Sequence, residues 1–385
     1  MPRQPRNKVS NRSVSKVLEE TLAERKALIM MTFSAQTRVA LSDPEAIIAP
    51  VCEHMLEHGG IARTEDGVRT LEFSGARARF SLTNDGTLVD VEADSLESLY
   101  FVRVAVASHI LEFAEPASPT IVWHGDGDDL ARPPNFQILR ITAVQDITPH
   151  MRRISFHGDN VARFAGMSAL HLNLLCQHPD LAAPQWPTVG SNGLAQWGDP
   201  ARRPAFRKYT VRSLDVAAGR LDIDFVLHAD AGPGSALAET ARIGAEIGVI
   251  GPGGGGLVDA DWYLFAGDET ALPAIARMLE CLPAQTRGKA FIEVPDKSEV
   301  QQLKFQAGIE VTWLHRNGAA AGTTSLLIDA VRSTILPDDE SSVYVWAGCE
   351  FATFRQIRSY CRGELGLNKE QHLVVSYWNR GNNSE

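Results

Sequence analysis

The last third of the chain constrains the fold most. After the run Gly251-Pro252-Gly253-Gly254-Gly255-Gly256, short apolar segments at residues 262–266, 289–294, 309–314, 342–347 and 372–377 alternate with helical stretches at 270–282, just after 294, 323–333 and 351–365. Continuous apolar strands need cover on both faces, and intervening helices supply it, so this region predicts an α/β, doubly wound parallel sheet. Such sheets bind nucleotide-type ligands at the carboxyl ends of their strands.

The preceding region has a different rhythm. Short strands at 136–144, 151–157, 171–176, 207–211 and 221–228, with glycine and proline between them, read as a small antiparallel β-barrel. Before it lies a compact α+β pattern. A helical stretch at 46–58 stops at Gly59-Gly60, alternating segments occupy 68–73 and 76–82, Asn84-Asp85-Gly86 turns the chain toward 87–91, and an amphipathic helix spans 95–113. The segments read as a basic leader over 1–31, with a short helix near 14–27; a small α+β domain over 32–115; and a Pro/Gly/Asp-rich linker over 116–134. A β-barrel follows over 135–258 and an α/β domain over 259–385. The chain is therefore expected to be multidomain.

Charge narrows the partners. Net charge is −10 over 385 residues, yet the first 32 residues carry seven Lys/Arg against three Glu, which leaves 30 basic and 44 acidic residues in the rest, a balance of −14. So acidic a body argues against nucleic acid as the main partner, because neutralising phosphates needs a basic face. Five widely spaced cysteines (Cys52, Cys176, Cys281, Cys349, Cys361) contain no Cys-x-x-Cys, which speaks against a disulfide framework or a protein-held metal and for a reducing compartment. No apolar run is long enough to insert into a membrane, and residues 27–31 are too short for a secretory core, so a cytoplasmic location is expected.

Three motifs carry chemistry. The strand Arg207-Lys208-Tyr209-Thr210-Val211-Arg212 alternates Arg207, Tyr209 and Val211 with Lys208, Thr210 and Arg212. Cations beside an aromatic and a hydroxyl suit a flat ring that bears a pyrophosphate; a solvated strand with a surface aromatic is the bland alternative. Downstream, His228 leads to Gly232-Pro233-Gly234-Ser235 at the mouth of a helix placed at 236–242. Its free N–H groups suit an anion, although Ser235 would also serve as a plain N-cap. The third motif, Gly267-Asp268-Glu269-Thr270 followed by Ala271-Leu272-Pro273, is a strand–turn–helix opening the sheet.

In this order, and with the ending Tyr377-Trp378-Asn379-Arg380-Gly381, the motifs over about 136–381 resemble the siderophore-interacting proteins, flavin-dependent ferric-siderophore reductases of the ferredoxin–NADP reductase superfamily. Residues 32–114 resemble a small domain of unknown function sometimes fused in front of them. The resemblance implies FAD as cofactor, held by Arg207, Tyr209, Thr210, Val211, Arg212, His228, Gly232, Pro233, Gly234 and Ser235. It also implies NADPH or NADH lined by Gly267, Asp268, Glu269, Thr270 and Trp378, with Arg316 suited to a 2′-phosphate.

Family members commonly read Ala-Gly-Glu where this chain reads Gly348-Cys349-Glu350, and Gly where it has Ser376. Cys349 then reads either as a nicotinamide neighbour or as a buried inert thiol. A ferric siderophore, often anionic, would meet Arg202, Arg203 and Arg380, with Lys369 a weaker candidate, because residues 200–214 hold five cations and no acid. No protein nucleophile or base is required beyond the flavin. Ferredoxin as electron partner and a non-enzymatic siderophore carrier are the alternatives.

Overall fold

The computed structural model describes residues 33–381 apart from His58, Asp85 and residues 229–231; the basic leader and its expected helix lie outside the described residues. The chain divides into two compact units, one formed by 1–134 with 186–200, the other by 135–185 with 201–385.

In the first unit, a six-stranded sheet in the order Ile61–Glu65, Val68–Phe73, Ala76–Thr83, Gly86–Ala93, Phe33–Val39, His124–Gly125 packs against the helices Pro44–Glu57 and Leu96–Phe113. Period-2 patterning fixes its register: Ala78, Phe80, Val89 and Val91 point to the core and their neighbours do not. Ser95 caps the second helix by accepting from the Ser98 N–H. The stretch expected to be a linker is partly structural. Ile121 and Trp123 are buried in this core, and His124–Gly125 pairs with Phe33–Val39.

Residues 186–200, assigned from sequence to the barrel domain, also belong to this unit. Trp123 holds them, its backbone N–H donating to Ser191 O and its indole N–H to Asn192 O, both at 3.0 Å. Arg103, buried in the long helix, lies 5.5 Å over the Trp123 ring.

In the second unit, seven antiparallel strands run in the order Ala205–Thr210, His171–Cys176, Glu246–Gly253, Phe136–Thr148, Met151–His157, Arg220–Val226, Ser213–Asp215. The sheet curls until Tyr209 on one side meets Phe225 on the other, ring centroids 4.4 Å apart, as the expected barrel requires. The C-terminal region forms the expected parallel sheet, ordered Gly308–His315, Arg287–Val294, Trp262–Asp268, Val343–Glu350, His372–Trp378. Its strand order reverses between Trp262–Asp268 and Val343–Glu350, which puts Gly267 beside Gly348 at the switch point.

Polar joints tie barrel to sheet. Arg277, in the buried stretch of the helix Leu272–Cys281, donates to Val211 O at 2.9 Å and Phe164 O at 2.5 Å. Glu299 accepts from Thr148 at 2.5 Å and from the His150 backbone at 3.1 Å.

Candidate functional site

The site begins on the edge strand Ala205–Thr210, where Lys208 stands opposite Asn173 and Thr210 opposite His171. Ala205 and Tyr209 pack toward the barrel core, and burial pushes the Tyr209 phenol far above its ordinary range. The strand ends at Thr210, so the alternation expected through 212 breaks there. Val211 turns into the core, its N–H donating to Leu170 O and its carbonyl accepting from Arg277. Arg212 forks onto Glu280 at 3.1 and 2.7 Å and sits 3.9 Å from Asp224. Val211 is thus a core residue and Arg212 a paired one, and the run free of acids in sequence is not free of them in space.

The helix after the barrel spans Pro233–Thr240 with Gly232 as its N-cap, three residues earlier than expected. Proline at the first helical position needs no N–H and sets the helix start. Ser235 therefore lies inside the first turn instead of capping it, and its hydroxyl is buried with no hydrogen-bond partner among the described residues. Gly234 lies against the Tyr209 ring so closely that a Cβ there would strike the phenol oxygen. That contact brings the helix mouth to the Arg/Tyr/Thr strand.

Arg207 donates to Phe206 O at 2.9 Å, and among the described residues no carboxylate pairs with Arg207 or Lys208. An open helix N-terminus, an unsatisfied buried hydroxyl and uncommitted cations make a donor set that fits the pyrophosphate of FAD. His228 is exposed and lines the mouth of an adjoining cleft.

Thr210 faces the other way, toward the sheet, and its hydroxyl bonds to Tyr377. The Tyr377 hydroxyl lies 2.7 Å from His171 Nε2, with the two rings edge to face at 5.3 Å. Burial, helped by the charges of Lys208 and Arg277, pulls His171 down to about 4, so the ring is neutral at pH 7 and can accept from Tyr377. Sequence reasoning missed His171, because only the strand register places it opposite Thr210.

At the switch point Asp268 organises the edge. Its Oδ1 accepts from the Thr270 N–H at 3.0 Å and hydroxyl at 2.5 Å; its Oδ2 accepts from the Glu350 N–H at 3.1 Å and the Trp378 indole at 2.8 Å. Burial, reinforced by the charge of Glu269, raises the Asp268 carboxyl to about 6 against those hydrogen bonds. Glu350 caps the helix Phe351–Gly363 through the Ala352 N–H at 2.6 Å and accepts from the Arg380 backbone at 3.2 Å. The Arg380 side chain is exposed. Gly267 and Gly348 have no room for a Cβ, which would meet the Ala271 methyl in one case and the Tyr377 ring in the other. The structure thus brings Gly267, Asp268, Thr270 and Trp378 together.

Cys349 turns to the opposite face of its strand, fully buried among Trp262, Leu264 and Ile357, and burial beside Asp268, Glu350 and Glu293 drives its thiol far upward. Of its two readings, the inert thiol is the one the geometry holds.

Two further assignments change. Arg316 is buried and committed, donating to both Glu269 oxygens at 2.7 Å and to Glu293 at 3.4 Å. Its guanidinium is not free for a 2′-phosphate. Lys369 precedes His372–Trp378 and lies at the amino edge of the parallel sheet, a strand length of roughly 20 Å from the carboxyl edge. It does not share the site. Arg202 and Arg203 are exposed at the end of the turn Pro200–Arg202, where the Arg202 carbonyl accepts from Gln185 at 2.6 Å. Among the described residues no helix is long and apolar enough to cross a membrane.

Comparison with known proteins agrees with this layout. Residues 260–381 match the family model described as siderophore-interacting protein, 140–256 the siderophore-interacting FAD-binding domain, and 36–124 an uncharacterized domain conserved in bacteria. An uncharacterized protein of Mycobacterium tuberculosis is 33% identical over 261 residues, covering 64% of this chain and 91% of that protein. The ferric vibriobactin reductase ViuB of Vibrio cholerae is 33% identical over 188 residues, 48% of this chain and 69% of that one. The crystal structure of a siderophore utilization protein from T. fusca superimposes with a TM-score of 0.58 at 40% identity, over 65% of this chain and 95% of that chain.

Proposed function

The chain belongs to the siderophore-interacting protein family, and from that premise we propose that it is an FAD-dependent NAD(P)H:ferric-siderophore reductase that frees iron by reducing siderophore-held Fe(III) to Fe(II). The observation that carries the reading is the donor set on the barrel: Arg207 and Lys208, without carboxylate partners among the described residues, beside a helix mouth whose Ser235 hydroxyl has no partner among them. FAD, when bound, would supply the conversion of a two-electron hydride donor into one-electron steps toward iron.

The chain's own groups do the rest. Arg207, the N–H groups of Gly232, Gly234 and Ser235 and the Ser235 hydroxyl would hold the pyrophosphate. Thr210, His171 and Tyr377 form a polar wall whose imidazole is neutral and accepts a proton bond without adding charge. Asp268, held by Thr270, Trp378 and the Glu350 backbone, fixes the edge against which a nicotinamide would lie. Arg202, Arg203 and Arg380, exposed on the same unit, attract an anionic iron chelate in spite of the acidic body. Iron is substrate here: hard oxygen donors hold Fe(III) far better than Fe(II), so reduction loosens the chelate. A cytoplasmic setting goes with this chemistry, as do five free thiols.

The test is direct. The purified protein should carry a flavin absorbance spectrum that bleaches anaerobically with NADH or NADPH and returns on adding ferric siderophore. A colourless protein that takes up no FAD overturns the reading. A flavin that no nicotinamide bleaches transfers the donor role to a protein such as ferredoxin.

A further inference from the structure

The ion cluster in the cleft beside the barrel bears on which dinucleotide the site accepts, and the argument rests on the nicotinamide donor proposed above. The cleft, about 280 Å³, is lined by Glu269, Arg316, Glu299, His150 and His228 among others, at the carboxyl edge of the sheet. Arg316 directly follows the strand Gly308–His315, where nucleotide-binding sheets can use an arginine to meet a 2′-phosphate. Here its fork is filled. Glu269 takes two parallel bonds at 2.7 Å, the same geometry an arginine would offer a phosphate, and Glu293 shares the Nη1 donor at 3.4 Å.

Glu293, near the end of Arg287–Val294, also accepts from the Thr324 hydroxyl at 2.9 Å. Glu299 adds another buried carboxylate, with the His150 ring already bonded to it at 2.7 Å. Two carboxylates thus hold one guanidinium, and a third lines the same cleft. An incoming 2′-phosphate would have to displace Glu269, strand a carboxylate without its cation and sit beside Glu293, all of which disfavour it. An unphosphorylated ribose brings two hydroxyls, which can donate to Glu269 or Glu293 while the ion pair stays intact.

We infer that the cleft is built for the unphosphorylated dinucleotide: the donor is NADH, and Glu269 and Glu293, by occupying Arg316, are the residues that turn NADPH away.

Calorimetric titration of the flavin-loaded protein with NAD⁺ and NADP⁺ tests this without turnover. NAD⁺ should bind at least about tenfold more tightly, a gap of about 1.4 kcal/mol, and adenosine 5′-monophosphate should likewise outbind adenosine 2′,5′-bisphosphate. Glu269→Gln, which releases half of the Arg316 fork, should narrow the NAD⁺/NADP⁺ ratio at least about threefold. If that variant does not fold, the two adenosine fragments still rank the native site. Equal affinities, or tighter NADP⁺, overturn the inference and leave the reductase reading standing. Binding of neither dinucleotide overturns both the inference and the nicotinamide donor, whereas the flavin content reports separately on the FAD site.

Discussion

The two ends of the proposed electron path use their cations in opposite ways. On the barrel, the half-buried Arg207 and the exposed Lys208 stand beside a helix mouth with no carboxylate partner among the described residues. At the sheet edge, Arg316 is buried between Glu269 and Glu293, and Arg277 and Arg212 are likewise committed, one to backbone carbonyls and one to Glu280. A cation marks an anion site only when its own chain has left it without a partner. A committed arginine belongs to the architecture, and an uncommitted one belongs to a ligand.

That contrast can be broken most forcefully at Arg277. Arg277→Ala should cost about 3 kcal/mol of stability, because the Val211 and Phe164 carbonyls lose their buried partner; an unfolding midpoint equal to wild type in denaturant titration would refute the architectural role. Arg207→Gln should do the reverse. The apoprotein should unfold within about 0.5 kcal/mol of wild type, whereas FAD affinity, measured by fluorescence titration, should fall by about 2 kcal/mol, roughly thirtyfold. Loss of stability with full flavin affinity would invert the assignment.

Asp268 sharpens the acidic side through its pH dependence. Its carboxyl is raised to about 6, from an unfolded value near 3.8, by burial and the Glu269 charge. Its contribution to stability is therefore fully present below the unfolded value and is lost as pH rises through about 6. The slope is at most about 1.4 kcal/mol per pH unit, opposite in sign to a salt-bridged carboxylate. Comparing unfolding free energies of wild type and Asp268→Asn between pH 4 and 7 should show that component vanish in the variant; parallel curves would exclude it. The smallest effect belongs to the exposed pair. Arg202→Ser with Arg203→Ser should raise KM for an anionic ferric chelate by about fivefold at low salt, with the difference shrinking as ionic strength rises. An unchanged KM would remove both from the substrate path.

How much of this could be read from the amino-acid order follows from the range of each interaction. The parallel sheet was legible because an apolar run of that length is buried on both faces whatever its neighbours. The first unit was legible because period-2 alternation and the Ser95 cap are local. The helix mouth was misplaced by three residues because Pro233 and Ser235 can each start a helix, and only packing of Gly234 on Tyr209 decides between them. Long-range pairing was invisible. Arg212 meets Glu280 across 68 positions and Arg316 meets Glu269 across 47, so a stretch without acids in the sequence acquires them in the fold. His171 carried no signal, since its partner Tyr377 lies 206 positions away. Arg277 left a faint trace, a charge set among the apolar residues 272–279.

The hold of Trp123 on residues 186–200 has a consequence for how the molecule can be taken apart. The backbone passes between the two units after residues 134, 185 and 200. No single peptide cleavage therefore yields two intact folds: a cut at 134 leaves the first unit without the strand pair Thr188–Val189 and Ala195–Gln196. The two units alternate along the chain, and the first is assembled from segments that lie on both sides of part of the second.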